Sequence, residues 1–270
     1  MADRPRLEAC YFGNPEPKLN MIYASLARVL DYSARKHCPE WDVNVALLEP
    51  RPYISGMGNL SHVWNTQKLE FWRRQTEEAP DGARLLLIDG DMLIQKPIDD
   101  IWDRDFEMAY TIRNGGTRLP LNGGVMFLRV SQATRQFMRN WWEVNIRFLE
   151  KPREHDNWRR KYAGINQASL GYLLEQGTGL AKIEKLLCSE WNLCEWERHP
   201  PSGARIVHFK STLRRALFKY FPVPRGGTNV QRLINVWLDT EKEMMAWQKR
   251  RAETSASSVT GPTPSTSAVA

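Results

Sequence analysis

Apolar and polar positions along this chain follow two periods, one near two residues and one near 3.6, and the switches between them mark its elements. Residues 7–12, LEACYF, make a short apolar run that Gly13-Asn14-Pro15 closes, the pattern of a strand entering a loop. From Pro17 onward Leu19, Ile22, Tyr23, Leu26, Val29 and Leu30 recur at helical spacing. They predict a core-facing helix that Arg35, Lys36 and His37 close with the charge a helix C-terminus favours. Residues 42–48, DVNVALL, predict a second strand, and strand–helix–strand of this length forms a right-handed βαβ unit in nearly all folds. Residues 51–60 are rich in Pro and Gly and read as a surface loop; residues 64–78, with Trp64, Leu69 and Trp72, read as a helix.

The most telling pattern lies at residues 84–91. Leu85, Leu86, Leu87 and Ile88 run straight into Asp89-Gly90-Asp91, and a second apolar group, Met92 to Ile94, follows. A strand apolar on both faces belongs in the parallel sheet of an α/β protein. Ligands of such sheets bind outside the carboxyl ends of the strands. The βαβ unit brings the loop at residues 13–18 to that same edge, and Gly90 lets the backbone turn and a ligand come close. Hard divalent cations take carboxylate oxygens together with substrate phosphates. The triplet is therefore expected to form a divalent-metal and phosphate site.

Downstream, residues 98–102 continue the apolar pattern, residues 106–112 predict a strand, and residues 113–120, with Gly115-Gly116, predict a polar loop. Leu121-Asn122-Gly123-Gly124 reads as a turn into a strongly apolar strand at 125–130. Ser131 is placed to cap a helix carrying Phe137, Met138, Trp141, Trp142, Val144, Phe148 and Leu149. Residues 150–163 are too charged and Pro-interrupted for core and read as a basic loop. Asn166 is expected to cap a helix at 167–175 that Gly177 ends. Residues 181–187 are amphipathic, and residues 191–196 are aromatic without a period. Residues 205–209 predict a short strand bearing His208. A basic, aromatic run to Arg225 precedes a last helix near 229–249, with Leu233, Ile234, Trp237, Leu238 and Met245 on one face. The low-complexity remainder lacks the apolar surface to fold. The expectation is one folded domain over residues 1–251, a disordered tail over 252–270, and no internal repeat.

Composition narrows this picture only a little. With 42% apolar residues in 270, the chain can bury a substantial core. No stretch approaches the roughly eighteen consecutive apolar residues of a membrane span. The N-terminus lacks a signal-peptide pattern, so a cytoplasmic protein is expected. Four cysteines, Cys10, Cys38, Cys188 and Cys194, lack CxxC spacing and read as scattered reduced thiols. The formal charge of +7 suits nucleic acid, an anionic membrane surface or a polyanionic small substrate. Signatures of the common nucleic-acid modules are missing, so nucleic acid is not expected as a partner.

One family brings these motifs together. A hydrophobic strand ending Asp89-Gly90-Asp91, then Asn122-Gly123-Gly124-Val125-Met126-Phe127, then a helix bearing Gln167 and a late His208-Phe209 resemble the GT-A glycosyltransferases. More narrowly, they are similar to the retaining family that includes glycogenin and the bacterial lipopolysaccharide galactosyltransferases. The match runs from Tyr11 to about Arg214 and is strongest at 89–91 and 122–127. The resemblance implies a single GT-A (Rossmann-like) α/β domain, its mixed, mostly parallel central sheet flanked by helices. It implies a metal-dependent glycosyltransferase that moves a sugar from a nucleotide-diphosphate donor, a UDP-sugar, to an acceptor hydroxyl with retention.

Residue by residue, the resemblance makes Asp89, Asp91 and His208 the ligands of Mn²⁺ or Mg²⁺, with the imidazole favouring Mn²⁺. Asp89 would also contact the sugar or ribose, and Gln167 would lie beside the anomeric carbon. Tyr11 and Asn14 would border the base, with Tyr23 near them. Gly90, Asn122, Gly123 and Gly124 would line the donor, Lys68 would bind it, and Lys210 and Arg214 would meet its diphosphate. The sequence departs from the family pattern in places. Asn166 stands where an Asp precedes the Gln, Ser211 replaces a Gly, Arg214 replaces the diphosphate-binding Lys, and the following Pro-Trp is missing. These departures bear on the donor sugar and on the activity. They motivate a second reading, a catalytically decayed sugar-nucleotide or glycan-binding protein on the same fold. A nucleotidyltransferase ranks last, because Gly13-Asn14-Pro15-Glu16-Pro17 is not a Gly-rich, basic phosphate loop. The acceptor is expected to be a glycan, a lipid-linked or another hydroxyl. The basic segments near Arg153–Lys161 and at Arg214, Arg215 and Lys219 would favour an anionic acceptor or an anionic membrane surface.

Overall fold

Leu85, Leu86, Leu87 and Ile88 are fully buried, and they divide between two cores. Leu85 and Leu87 pack with Leu69, Trp72, Phe137, Trp141 and Ile165 on one face. Leu86 and Ile88 pack with Leu30, Trp102, Phe127 and Trp191 on the other. This is the two-sided burial a continuous apolar strand demands, and each such side chain contributes about 1.5–3 kcal/mol. The protein is seen in a computed structural model that describes residues 4–55, 59–113, 119–194, 198–210, 213–214, 217–218 and 228–259, the last helix by backbone alone at 228 and 255–259.

The strands in chain order are β1 (Arg6–Phe12), β2 (Asp42–Leu48), β3 (Arg84–Asp89), β4 (Met92–Ile94), β5 (Met108–Ile112), β6 (Leu121–Arg129), β7 (Ile183–Leu187) and β8 (Ile206–His208). The helices are α1 (Pro17–His37), α2 (Leu60–Glu78), α3 (Gln132–Glu150), α4 (Pro152–Tyr162), α5 (Ile165–Gln176), the single turn α6 (Cys188–Trp191) and α7 (Thr228–Val259). The central sheet has the order β2-β1-β3-β6-β5-β7. Pairing is parallel except where β6 runs against β3 and β5. It is the mixed, mostly parallel α/β sheet the sequence predicts. Helices α2, α3 and α5 cover one face, and α1, a 3₁₀ turn at Asp99–Asp103 and α6 contribute to the other. After Asp91 the chain leaves this sheet. β4 pairs antiparallel with β8, setting Met92 opposite His208.

Several boundaries differ from expectation for local reasons. α2 begins four residues before Trp64, because the Asn59 side chain accepts from the amides of Ser61 and His62 at 3.0 and 3.4 Å. Asn122-Gly123-Gly124 is not a turn but part of β6, and the strand partner adjusts through an irregularity between Tyr110 and Thr111. Residues 152–162 form a helix rather than a basic loop: Pro152 sits in its first turn, where its missing N–H costs nothing. Only His155 and Tyr162 of that helix are buried, which explains its lack of an apolar stripe. Asn166 is not a cap. It lies buried inside α5, after Ala163 and Gly164, which both adopt positive φ (53° and 59°). α7 continues through Val259, past residue 252 where a disordered tail was expected to begin. The expectations for Gly115-Gly116, Trp196, Ser211, Arg215, Lys219, Arg225 and residues 260–270 lie outside the described residues. Among the described residues, no helix is long and apolar enough to cross a membrane.

Phe127 is the central ring of the β3–β6 core, edge-on to Trp102 and Trp191 at 5.6 Å from each. Phe127→Ala should cost about 3–5 kcal/mol, read as a lower urea midpoint at unchanged slope.

Candidate functional site

At the carboxyl edge of the sheet, β1 ends in Tyr11 and Phe12, β3 ends in Asp89, and the β4–β8 ribbon carries His208 back beside both carboxylates. The imidazole Nε2 lies 3.1 Å from Asp91 Oδ1 and 3.7 Å from Asp89 Oδ2. Each of the three offers a ligand atom within 4.8 Å of the others. Lys68, reaching from α2, hydrogen-bonds to Asp89 Oδ1 and lies 4.6 Å from the centre of the Trp72 ring. Arg214 donates to Asp91 Oδ2 at 3.0 Å and stacks over Tyr23 at 5.0 Å. Burial pushes the Asp91 carboxyl up, but His208, Arg214 and Lys68 together outweigh it and hold its pKa at about 2.

The orientation of His208 follows from a chain of hydrogen bonds. The Thr111 hydroxyl donates its hydrogen to the Asn122 carbonyl at 2.7 Å, so towards Asn192 it can only accept. The Asn192 amide nitrogen therefore faces Thr111, at 2.8 Å, and the Asn192 oxygen faces His208 Nδ1, at 3.1 Å. Nδ1 must carry a hydrogen, which leaves Nε2 turned towards the carboxylates. An outer partner that fixes the tautomer is the usual support of an imidazole that binds metal. Two carboxylates and an imidazole of this orientation fit a divalent cation such as Mn²⁺.

Two glycines make room. A Cβ on Gly124 would lie 2.6 Å from Asp89 Oδ2, 2.8 Å from Met92 Cε and 3.1 Å from His208 Cε1. One on Gly90 would lie 2.7 Å from the Cys10 carbonyl oxygen. Neither position tolerates a side chain without moving the carboxylates or β1.

The carboxylates border two joined cavities. The larger, about 460 Å³, extends over an aromatic wall of Tyr11, Phe12, Tyr23 and Trp64, with Lys210 and Arg214 at its rim. Phe12 stacks on Trp64 at 6.1 Å, and Tyr23 meets that indole edge-on at 5.8 Å. The smaller, about 180 Å³, shares Asn65, Lys68, Asp89, His208 and Lys210 with it and adds Asn122, Gly123, Gly124, Asn166 and Gln167. Gln167 accepts from the Gly123 amide at 3.1 Å and donates to the Tyr162 carbonyl at 2.8 Å, so both ends of its amide serve the backbone.

Of the residues expected at the metal and donor, Asn14 stays apart from these cavities; its side chain accepts from the Glu16 amide at 2.9 Å. Ser61, Trp64 and Asn65 were not anticipated as lining residues. Their spacing from Lys68, seven, four and three residues, puts all of them on one helix face, a signal the sequence does contain. Asn192 carried no sequence signal, since its role depends on Thr111, which is distant along the chain.

No family model and no curated protein sequence matches the chain. Solved structures do. A glycosyltransferase involved in glycosylation of the major capsid of PBCV-1 superposes with a TM-score of 0.56 at 14% identity, over 80% of this chain and 100% of the other. The glycosyltransferase GlyE of Streptococcus pneumoniae TIGR4 does so at 0.57 and 15%, over 97% of this chain, which spans only 66% of that one. The galactosyltransferase LgtC, solved with donor and acceptor sugar analogs, gives 0.51 and 10%, over 88% and 95%. The chain therefore has the GT-A nucleotide-sugar transferase fold.

Two measurements test the site. Because the folded-state pKa of Asp91 lies below its ordinary 3.8, its stabilisation is complete above about pH 4 and disappears as pH falls towards about 2. Asp91→Asn should flatten that limb of the stability profile measured by urea unfolding. Gly124→Ala, by displacing Asp89 and His208, should weaken Mn²⁺ binding by at least about tenfold in a paramagnetic-resonance titration.

Proposed function

We propose that this protein transfers a sugar from a UDP-sugar to an acceptor hydroxyl with retention of configuration. The observation that carries the reading is the convergence of Asp89, Asp91, His208 and Arg214 in an aromatic-walled cavity that shares Asp89 and His208 with an amide-lined one. The aromatic wall suits a planar base, which stacks on such rings. Lys210 lines both cavities and Arg214 the larger one beside Asp91, where they would meet the diphosphate of a donor spanning the two. The smaller cavity, walled by amides and by Gly123, Gly124 and Gly164, is of hexose size and polarity.

Transfer breaks the bond between the anomeric carbon and the diphosphate oxygen, whose electrons stay on the diphosphate. The acceptor oxygen bonds to that carbon from the same face and gives its proton to the departing diphosphate oxygen on that face. Asp89, Asp91 and His208 would hold a divalent cation, which would supply positive charge against the departing diphosphate. Arg214 contributes a guanidinium to the same charge, and as arginine it can offer a bidentate fork. Asn192 keeps His208 Nε2 aimed inward. Gln167 fixes the Gly123 backbone and thereby the floor under the sugar. The exposed basic face of α4, with Arg153, Arg159 and Arg160, favours an anionic acceptor.

A second reading, a sugar-nucleotide-binding protein without turnover, draws on the occupied amide of Gln167 and on Asn166 in place of a carboxylate. Release of free UDP from a panel of UDP-sugars, with and without Mn²⁺, decides between the two. We expect Mn²⁺-dependent release that Asp91→Asn lowers by at least about a hundredfold. Release indifferent to both would sink the transferase reading. Thermal stabilisation by UDP without release from any donor would establish the binding protein.

A further inference from the structure

A separate cavity of about 370 Å³ opens where β5, β6 and β7 meet the end of α4 and the last turns of α5, and it shares no residue with the two described above. Its floor is apolar. Tyr110 and Ile112 of β5 project onto one face of the sheet, Leu121 stands opposite Ile112 in the β5–β6 register, and Leu174 of α5 packs with them. Its rim is basic. Lys185 of β7 stands opposite Tyr110 in parallel register, which puts both side chains on that face. Arg113 is fixed at the end of β5, where its amide donates to the Pro120 carbonyl at 2.9 Å. The third cation, Lys161, lies 2.6 Å from Glu175, whose carboxylate also accepts from the Tyr162 hydroxyl.

Three cations therefore face one carboxylate, and that carboxylate is already matched. Among the described residues, neither Arg113 nor Lys185 has an acidic partner, and the Arg113 Nε is buried without an acceptor. A buried guanidinium N–H in that state carries a desolvation cost that an anionic oxygen in the cavity would recover. The cavity also adjoins the one of hexose size along two elements. On β6, Leu121 lines this cavity, and Asn122, Gly123 and Gly124 line the other. After α4, Tyr162 lines this cavity while its carbonyl accepts from Gln167 at 2.8 Å, and Gly164 lines the other.

We infer that this cavity binds an acidic sugar unit, a hexose carrying a phosphate or a carboxylate, and that this unit belongs to the acceptor. The C–H face of the ring meets Tyr110, Ile112 and Leu174, apolar surface that a simple inorganic anion cannot use. The anionic group meets Arg113 and Lys185, and the planar fork of an arginine matches the oxygens of either acid. A neighbouring unit of the same glycan then reaches the wall of Asn122 and Gly123 with its hydroxyl. The site stands on the cavity itself, whereas its role as the acceptor subsite rests on the transferase reading above.

Full-length protein is titrated by ligand-observed NMR with glucose 6-phosphate, glucuronate, glucose and inorganic phosphate. At least one of the two acidic sugars should bind about tenfold more tightly than both glucose and phosphate, and the one that does identifies the acid. Arg113→Gln and, independently, Lys185→Gln should each weaken that binding at least about fivefold. Acidic sugars that bind no better than glucose or phosphate, or that bind both variants as they bind the wild type, overturn the site. With Mn²⁺ and the panel of UDP-sugars, the acidic sugar that binds should raise UDP release, and Arg113→Gln should lose that increase. Binding without any increase overturns the acceptor role and leaves the site standing. If the wild type releases UDP from no donor, the transferase reading and the acceptor role fall together, while the titration still decides the site.

Discussion

Two carboxylates at the end of a strand buried on both faces impose a charge balance that much of this fold is arranged to meet. Asp89 and Asp91 are only 19% and 14% exposed at the side chain, so water cannot neutralise them cheaply. Breaking a buried pair by removing one partner costs about 3–5 kcal/mol. The countercharges come from distant parts of the chain: Lys68 from α2, His208 from β8, and Arg214 beyond it. Bringing His208 there requires the chain to leave the central sheet after Asp91 and form the β4–β8 ribbon, in which Met92 faces His208. Gly124 must stay without a side chain so that the cluster has room. Packing at this edge and charge at this edge are therefore one problem.

The same economy governs the polar order inside. One hydroxyl hydrogen, that of Thr111, determines which way Asn192 points and hence which nitrogen of His208 faces the carboxylates. Thr111 and the Asn122 carbonyl belong to adjacent rigid strands, β5 and β6, so the direction is imposed by the sheet. Half of the site thus rests on strands that cannot move independently. The other half, Lys210 and Arg214, follows β8, and the Arg214 amide donates back to the Lys210 carbonyl at 3.5 Å as in a helical turn.

How much of this was legible in the sequence depends on whether local pattern or tertiary company decides the outcome. β3, α1, β2 and α3 were read closely because their apolar period is strong and their ends are marked by Pro17, Gly13 and Ser131. α4 was missed because its exposed, charged surface hides the helical period, and the two extra residues of buried contact it makes are too few to show. The early start of β6 was missed because Gly123-Gly124 resembles a turn; only the pressure of Asp89 and His208 against Gly124 explains glycines inside a buried strand. Asp89, Asp91 and His208 could be named from motif and resemblance, and the structure brings them together. Trp64 was read only as part of a helix, and it lines the cavity.

The division of the cavity says where binding energy resides. Aromatic surface is concentrated at Tyr11, Phe12, Tyr23 and Trp64, far from the amides of Asn122, Asn166 and Gln167. On the proposed reading, a donor that spans both would stack its base at the aromatic end, where contacts need not change during transfer at the other. Such remote binding energy can hold a sugar against Asp89 without strong contacts to the sugar itself. Replacing a carboxylate by Asn166 then alters the polarity of the weaker half while leaving the anchoring half intact. The cluster of Asp89, Asp91 and His208 sits at the boundary, where the two halves meet and where a change of charge would have to be borne.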